Sequence, residues 1–297
     1  MASKAKKTIL VTGATGHQGG AVFRHLHPKF PLRVLAHDSE NHAARALSGP
    51  GVELSRGDLE DLSSLKRAMD EVYGAYSMQT STDTEAEVRQ GRNVVDAAVA
   101  ESIHQLVYSS VTGADQHTGI PHFESKFKIE QHLKASGIKH TILRPVFFME
   151  NWLNWKDQIL RGRLEWPLKP ETRLQMLAVD DIGAFVALAF EHPGKWIGRT
   201  FEIAGDELSM NQITQAFSRM LGHEVTYVQI SWDQFESRID PAHFKMFQWF
   251  DGEEYRVDIA TVRQELPHLH SFERWLQSIW RAQVPAEPVA ATVQSKR

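Results

Sequence analysis

Gly13, Gly16 and Gly19 recur every three residues in the run Val11-Thr12-Gly13-Ala14-Thr15-Gly16-His17-Gln18-Gly19-Gly20. The run follows an apolar stretch and opens a segment with helical spacing, as a strand-to-helix turn would. G-x-x-G-x-x-G in that place is a close variant of the fingerprint that seats a dinucleotide. Each glycine has its own task. Gly13 permits the tight turn, Gly16 lets backbone N–H groups approach a pyrophosphate, and Gly19 lets the helix pack close to the sheet. The start of the helix adds the positive end of its dipole for the phosphates.

Two acids extend the pattern. Asp38 follows the second apolar run, near where a carboxylate can bond the adenosine ribose. Asp58, in Arg56-Gly57-Asp58-Leu59, follows the third. Its side chain suits the adenine amino group, and equally a turn or a helix cap.

The elements that must position these groups alternate through the first half. Strands are expected at Thr8–Thr12, Leu32–Ala36, Val52–Ser55, Ala75–Met78, Gln105–Ser109 and His140–Leu143. Helices are expected at Gly19–Leu26, Ala43–Leu47, Leu62–Glu71, Glu85–Ala100 and Glu124–Ala135. In the fourth helix Val88, Asn93, Val95 and Val99 trace a buried stripe. Such alternation, with near-continuous apolar strands, implies a parallel sheet covered on both faces. After Arg144-Pro145 the pattern changes to an aromatic-rich stretch, Val146–Pro170. A strand at Leu174–Val179 leads to a helix at Ile182–Glu191, with Asp180 or Asp181 as its N-cap. A strand at Thr200–Ala204, a helix at Ser209–Leu221 ended by Gly222, a strand at Glu224–Ile230 and a helix at Ser271–Arg281 follow. The run His243–Phe250 packs four aromatics into eight residues and reads either as a wall over an apolar substrate or as core.

The fold class expected from this alternation is α/β, a doubly wound parallel sheet on which the second half of the chain packs. Residues 284–297 would be a flexible tail.

Composition excludes several classes. The 297 residues hold no cysteine, which removes disulfide scaffolds, thiolate zinc sites and thiol enzymes. A net charge of −4 argues against a broad nucleic-acid surface. No apolar window reaches the roughly 18–20 residues of a membrane span, and the charged leader lacks the apolar stretch of a signal peptide, so a cytoplasmic protein is expected. Among 15 histidines, His25/His27 and His268/His270 are spaced i,i+2, which in a helix points them apart, and no metal site is expected. No G-x-S-x-G elbow of a hydrolase is present.

The ordered set of Thr12–Gly19, Gly57-Asp58, Glu87–Arg92, Val107-Tyr108-Ser109-Ser110, His122-Phe123-Glu124-Ser125-Lys126 and Glu150-Asn151 resembles the NmrA-like family. That family is an atypical part of the short-chain dehydrogenase/reductase superfamily. The likeness is strongest to the human NmrA-like redox-sensor branch and spans roughly Thr8 to Trp280. The resemblance implies a Rossmann-type doubly wound parallel sheet with a smaller α/β C-terminal substrate domain: residues 1–145 as the NAD(P)-binding domain, 146–283 mainly as the substrate or lid domain with some segments returning to the core, and NAD or NADP in the cleft between the two. It implies that Gly13, Thr15, Gly16, His17, Gln18 and Gly19 hold the pyrophosphate, that His37 and Asp38 meet the adenosine ribose, and that Asp58 and Leu59 meet the adenine. Gln79, Thr80 and Ser81 would pass the nicotinamide side, Arg92 and Lys126 would supply basic contacts, and the loop Phe148, Met149, Glu150 and Asn151 would close over the nicotinamide. The human branch has Arg at the position of His37 and Lys at that of Asn41, both suited to a 2′-phosphate. Here His37-Asp38-Ser39-Glu40-Asn41 places carboxylates there instead, which favours NAD.

Enzymes of the superfamily use Tyr-x-x-x-Lys; here the spacing gives His122 and Lys126 on one helix face. His122 could act as general acid in reducing a small apolar carbonyl or quinone, with Ser109 or Ser110 holding the substrate oxygen. The pair could instead only position the cofactor. Members of both kinds are implied, reductases and non-catalytic dinucleotide sensors that act through a protein partner, and an oligomer is compatible with either.

Overall fold

The computed structural model describes residues 7–79, 83–252 and 255–284. The first half alternates as β1 (Ile9–Val11), α1 (His17–Leu26), β2 (Leu32–Ala36), α2 (His42–Arg45), β3 (Val52–Arg56), α3 (Leu62–Met69), β4 (Gly74–Ser77), α4 (Thr84–Ala100), β5 (Gln105–Ser109), α5 (Pro121–Ala135) and β6 (His140–Pro145). The second half runs β7 (Phe147–Phe148), α6 (Lys156–Leu160), β8 (Arg163–Trp166), β9 (Arg173–Leu177), α7 (Val179–Glu191), α8 (Pro193–Trp196), β10 (Thr200–Ile203), β11 (Asp206–Ser209), α9 (Met210–Leu221), β12 (Thr226–Gln229), α10 (Trp232–Glu236), α11 (Pro241–Phe250), α12 (Ile259–Glu265) and α13 (Phe272–Trp275). A π-helical turn, Leu276–Trp280, continues α13.

Ile9, Leu10 and Val11 are wholly buried, as a central strand covered on both faces requires. Seven strands form one parallel sheet in the order β10-β6-β5-β4-β1-β2-β3. This is a doubly wound, Rossmann-type α/β fold. The chain leaves β1 toward β2 and β3, then crosses back to β4 on β1's other side. The crevice where such a sheet takes ligands therefore opens at the C-terminal end of β1. Thr12 locks the two neighbours there: its Oγ1 donates to Met78 O at 3.1 Å and accepts from Met78 N at 3.0 Å.

The aromatic segment after β6 folds back as a second layer. β7 follows β6 in the chain and forms the edge of a smaller sheet, β11-β9-β7, and β12 pairs with β8 rather than with the main sheet. Trp152 and Trp166 lie 4.6 Å apart in a core that also takes Phe147, Phe247 and Trp275. Each such fully buried ring contributes about 2–3 kcal/mol by area removed from water. Helices α1 and α7 pack closely through Gly183, where a Cβ would fall 2.5 Å from Ala21 O.

Two expectations are corrected. Neither Asp180 nor Asp181 caps α7, which begins at Val179 after Ala178 with both acids in its first turn. The free Val179 N–H is taken by Glu150 Oε2 at 3.0 Å, a carboxylate from the aromatic segment. On α4 Val95 is buried as expected, but Val88 and Asn93 are only half-buried and Val99 is exposed, and the buried face also carries Glu87, Gln90, Gly91, Val94, Ala97 and Ala98. Gly91 turns that face toward α5, where a Cβ would meet Ile129 at 2.5 Å. Ser209 caps α9 in a reciprocal box with Gln212, and Gly222 ends it at φ +74°. Among the described residues no helix is long and apolar enough to cross a membrane.

Candidate cofactor and substrate cleft

The glycine turn needs its glycines for measurable reasons. Gly13 adopts φ +66°, and a Cβ on it would lie 2.4 Å from Met78 Sδ. A Cβ on Gly19 would lie 2.2 Å from Gly13 O. Gly16 stands at the N-cap of α1 with no side chain capping it, and the first turn holds no acid. The positive end of α1 is thus left for an anion. This arrangement fits a pyrophosphate.

Thr15, Gly16 and His17 are exposed there and line a cleft of about 640 Å³ with Glu150, Asp180 and His270. Gln18 turns inward instead. Its Oε1 accepts from Ser109 Oγ at 2.9 Å and Tyr76 OH at 3.4 Å, and burial keeps the Tyr76 phenol protonated far above its ordinary range. Asp180 joins α1 to α7 by accepting from Arg24 at 2.9 Å and meeting His25 at 2.8 Å. Burial pushes the Glu150 carboxyl up, although Val179 N and Trp275 Nε1 both donate to it at 3.0 Å.

At the ends of β2 and β3 one of the two acids, Asp58, meets an exposed imidazole. His37 Nδ1 lies 3.3 Å from Asp58 Oδ2. Asp38 and Asp58 each use one oxygen in a local turn, accepting from Glu40 N and Glu60 N at 2.9 Å. The cap of α3 is Asp61, not Asp58. Arg45 is engaged by Glu40 in an ion pair. Leu59 is buried, and its carbonyl accepts from Asn93 at 2.9 Å. Gln79 is buried beside Ser77, with its Oε1 unpartnered among the described residues. Thr80 and Ser81 lie outside the described residues. Arg92 faces a groove between α4 and α5 with Arg89, Glu124 and Lys128, and none of the glycine-turn residues line that groove.

Lys126 and His122 do share one face of α5. Lys126 Nζ donates to Glu87 Oε1 at 2.7 Å, and Ser125 Oγ donates to the other oxygen. The His122 ring stacks on His243 at 5.5 Å and meets Phe123 edge-on at 5.0 Å. Burial pushes this imidazole down to about 4, and the His243 and Lys126 charges act in the same direction. At neutral pH it is therefore uncharged and carries no proton suited to transfer.

Ser110 is placed elsewhere. It is buried and donates to Glu130 Oε1 at 2.6 Å, inside a network where Arg144 grips Glu130 with bonds of 2.8 and 2.7 Å. The reason is the period of two along β5: Ser109 turns to Gln18 and the glycine turn, and Ser110, just beyond the strand, to α5. Tyr108 packs among α4, α5 and β6 as a buried residue.

The segment Phe148, Met149, Glu150 and Asn151 divides its side chains. Met149 enters the core, Phe148 packs partly buried against it, Glu150 lines the cleft at the glycine turn, and Asn151 lines a second pocket. That pocket, about 320 Å³, has Phe147, Trp155, Met246 and Phe247 as apolar wall and Asn151 and His243 as polar contacts. The aromatic run 243–250 is thus both core and wall. Asp240 was not legible as a site residue, and Glu87 and His243 were read only within the runs Glu87–Arg92 and His243–Phe250: nothing in their spacing ties α4, α5 and α11 together. Among the described residues no cluster of three or more His, Asp or Glu could hold a metal ion.

The sequence model described as the NmrA-like family matches residues 5–276. An NmrA-like family domain-containing protein of Dictyostelium discoideum is 24% identical over 298 aligned residues, covering 92% of this chain and 98% of that protein. Among solved structures, NmrA, a negative transcriptional regulator in complex with NADP, superposes with TM-score 0.79 at 21% identity, over 94% of this chain and 97% of that one. An NADPH-dependent quinone oxidoreductase from Escherichia coli, complexed with NADPH, gives TM-score 0.79 at 22% identity, over 92% and 99%. At these identities the structural likeness establishes the fold.

Proposed function

This chain belongs to the NmrA-like family, and from that premise we propose that it is a cytoplasmic NAD(P)H-dependent reductase of a small apolar carbonyl or quinone. The observation that carries the reading is the uncapped start of α1 behind Gly13 and Gly19, an anion seat at the reversal point of the sheet. The fold neighbour from Escherichia coli, an NADPH-dependent quinone oxidoreductase, supports the reaction class. When bound, a reduced nicotinamide supplies a hydride. The chain's own residues do the rest. Thr15 and Gly16 seat the pyrophosphate, Lys126, held by Glu87, contacts the nicotinamide ribose, and Phe147, Trp155 and Phe247 give the substrate an apolar wall. At the adenosine end His37 leans on Asp58 and Arg45 on Glu40, so neither of these two is free for a 2′-phosphate, and NAD(H) is bound at least as well as NADP(H).

A second reading has one observation in its favour. His122 lacks a transferable proton at neutral pH, and the fold neighbour NmrA is a regulator. On that reading the chain senses the dinucleotide and acts through a protein partner. Calorimetry with NAD, NADH, NADP and NADPH, followed by NAD(P)H consumption with a panel of quinones and aldehydes, separates the two. Binding with turnover supports the reductase; binding without turnover on any substrate supports the sensor; no heat with any of the four removes both.

A further inference from the structure

We propose that His243, oriented by Asp240, is the residue that gives the proton to the substrate oxygen, in place of His122. The inference rests on the reductase reading above. Its basis is geometric. Asp240 caps α11: its Oδ1 accepts from Ala242 N and His243 N, each at 3.1 Å, which fixes the carboxylate. The other oxygen, Oδ2, meets His243 Nδ1 at 2.5 Å. The imidazole is thereby oriented through one nitrogen, and Nε2 is left for another partner. His243, Asp240 and Asn151 all line the pocket that Phe147, Trp155 and Phe247 wall. His122 does not line that pocket and touches it only through its stacked contact with His243, at 5.5 Å and 28°. A carboxylate that orients an imidazole, which in turn faces a substrate pocket, is the arrangement of an acid–base pair.

The balance is as follows. The carbonyl carbon takes the hydride pair from the reduced dinucleotide, and a C–H bond forms. The C=O π pair moves to oxygen, which takes a proton from imidazolium Nε2 as that N–H bond breaks. Neutral His243 regains a proton from water, because its side chain is 54% exposed.

The test uses His243→Phe, His243→Asn and Asp240→Asn in the full chain, with thermal melts showing that each folds. Asn is itself a good N-cap, so Asp240→Asn keeps the start of α11 while changing what Nδ1 meets. With the substrate that the wild type turns over fastest, both His243 variants are expected to lose about 100-fold or more in kcat with KM within a few fold. Asp240→Asn is expected to lose about tenfold, and His122→Phe less than His243→Phe. A second readout needs no cofactor. 4-Nitrophenol is titrated into the cofactor-free protein, and its absorbance reports the group that meets its hydroxyl. A shifted spectrum is expected in the wild type, altered by Asp240→Asn and absent with either His243 variant. Unimpaired kcat in the His243 variants, or an unshifted nitrophenol spectrum in the wild type, overturns the proposal alone. No turnover by the wild type on any substrate overturns the reductase reading and this proposal together.

Discussion

The Lys126 ammonium donates to Glu87 Oε1 at 2.7 Å across the packing of α4 on α5, and the same carboxylate accepts from Ser125. Glu87 sits on the buried face of α4. A buried carboxylate of this kind is tolerated because cation and hydroxyl both satisfy it. Removing it leaves a partly buried ammonium without its counter-charge. Glu87→Ala is expected to destabilise the protein by about 3 kcal/mol in urea unfolding, and Glu87→Gln by less, because the amide oxygen still accepts. An Ala variant as stable as the wild type would show that the pair contributes nothing.

Gly19→Ala places a methyl 2.2 Å from Gly13 O and 2.3 Å from Gly13 C, and neither backbone atom belongs to a flexible side chain. The turn must open. We expect a loss of about 1–3 kcal/mol in stability and at least tenfold weaker dinucleotide binding by calorimetry. Gly49→Ala is the control, since its Cβ would meet nothing within 4 Å. Equal losses in both variants would sink the argument from close approach.

His122 and His270 give opposite contributions to stability against pH. His122 is held down to about 4 by burial, against 6.5 for the free group. The unfolded chain takes up the proton first, so stability falls as pH drops from 6.5 toward 4, by a ceiling of about 3 kcal/mol. His270 is held up, first by its hydrogen bond with Asp181. Its contribution is fully present below 6.5 and is lost as pH rises through its elevated value. Urea midpoints should therefore drop less between pH 6.5 and 4 in His122→Asn than in the wild type. A parallel drop in the two proteins would remove His122 as the cause.

The adenosine end offers a specificity change. Glu40→Gln releases Arg45 from its ion pair, and His37→Arg adds a permanent cation in place of an imidazole that leans on Asp58. Together they are expected to raise affinity for NADP(H) relative to NAD(H) by at least about tenfold, or 1.4 kcal/mol. Asn41→Lys is the less suitable route, because Asn41 caps α2 by accepting from Ala44 N at 2.8 Å, and losing that cap costs about 1 kcal/mol. An unchanged ratio of dissociation constants would locate the ribose contact elsewhere.

What the amino-acid order determined by itself was local. Strand and helix periods and the three-residue glycine repeat act within a few positions, so the parallel sheet, the turn after β1 and the end of α9 at Gly222 were readable in advance. The placement of Asp38 and Asp58 followed from the same strand ends. Tertiary structure decided what depends on contacts between distant segments. It gave the Val179 N–H to Glu150, sent Ser110 to Glu130 and Arg144 while Ser109 met Gln18, and brought Glu87 under Lys126. It also set His243 of α11 against His122 of α5. A side chain's burial and charged neighbours are fixed only when helices far apart in the chain pack together, and it is those neighbours that set what an imidazole, a carboxylate or a hydroxyl can do.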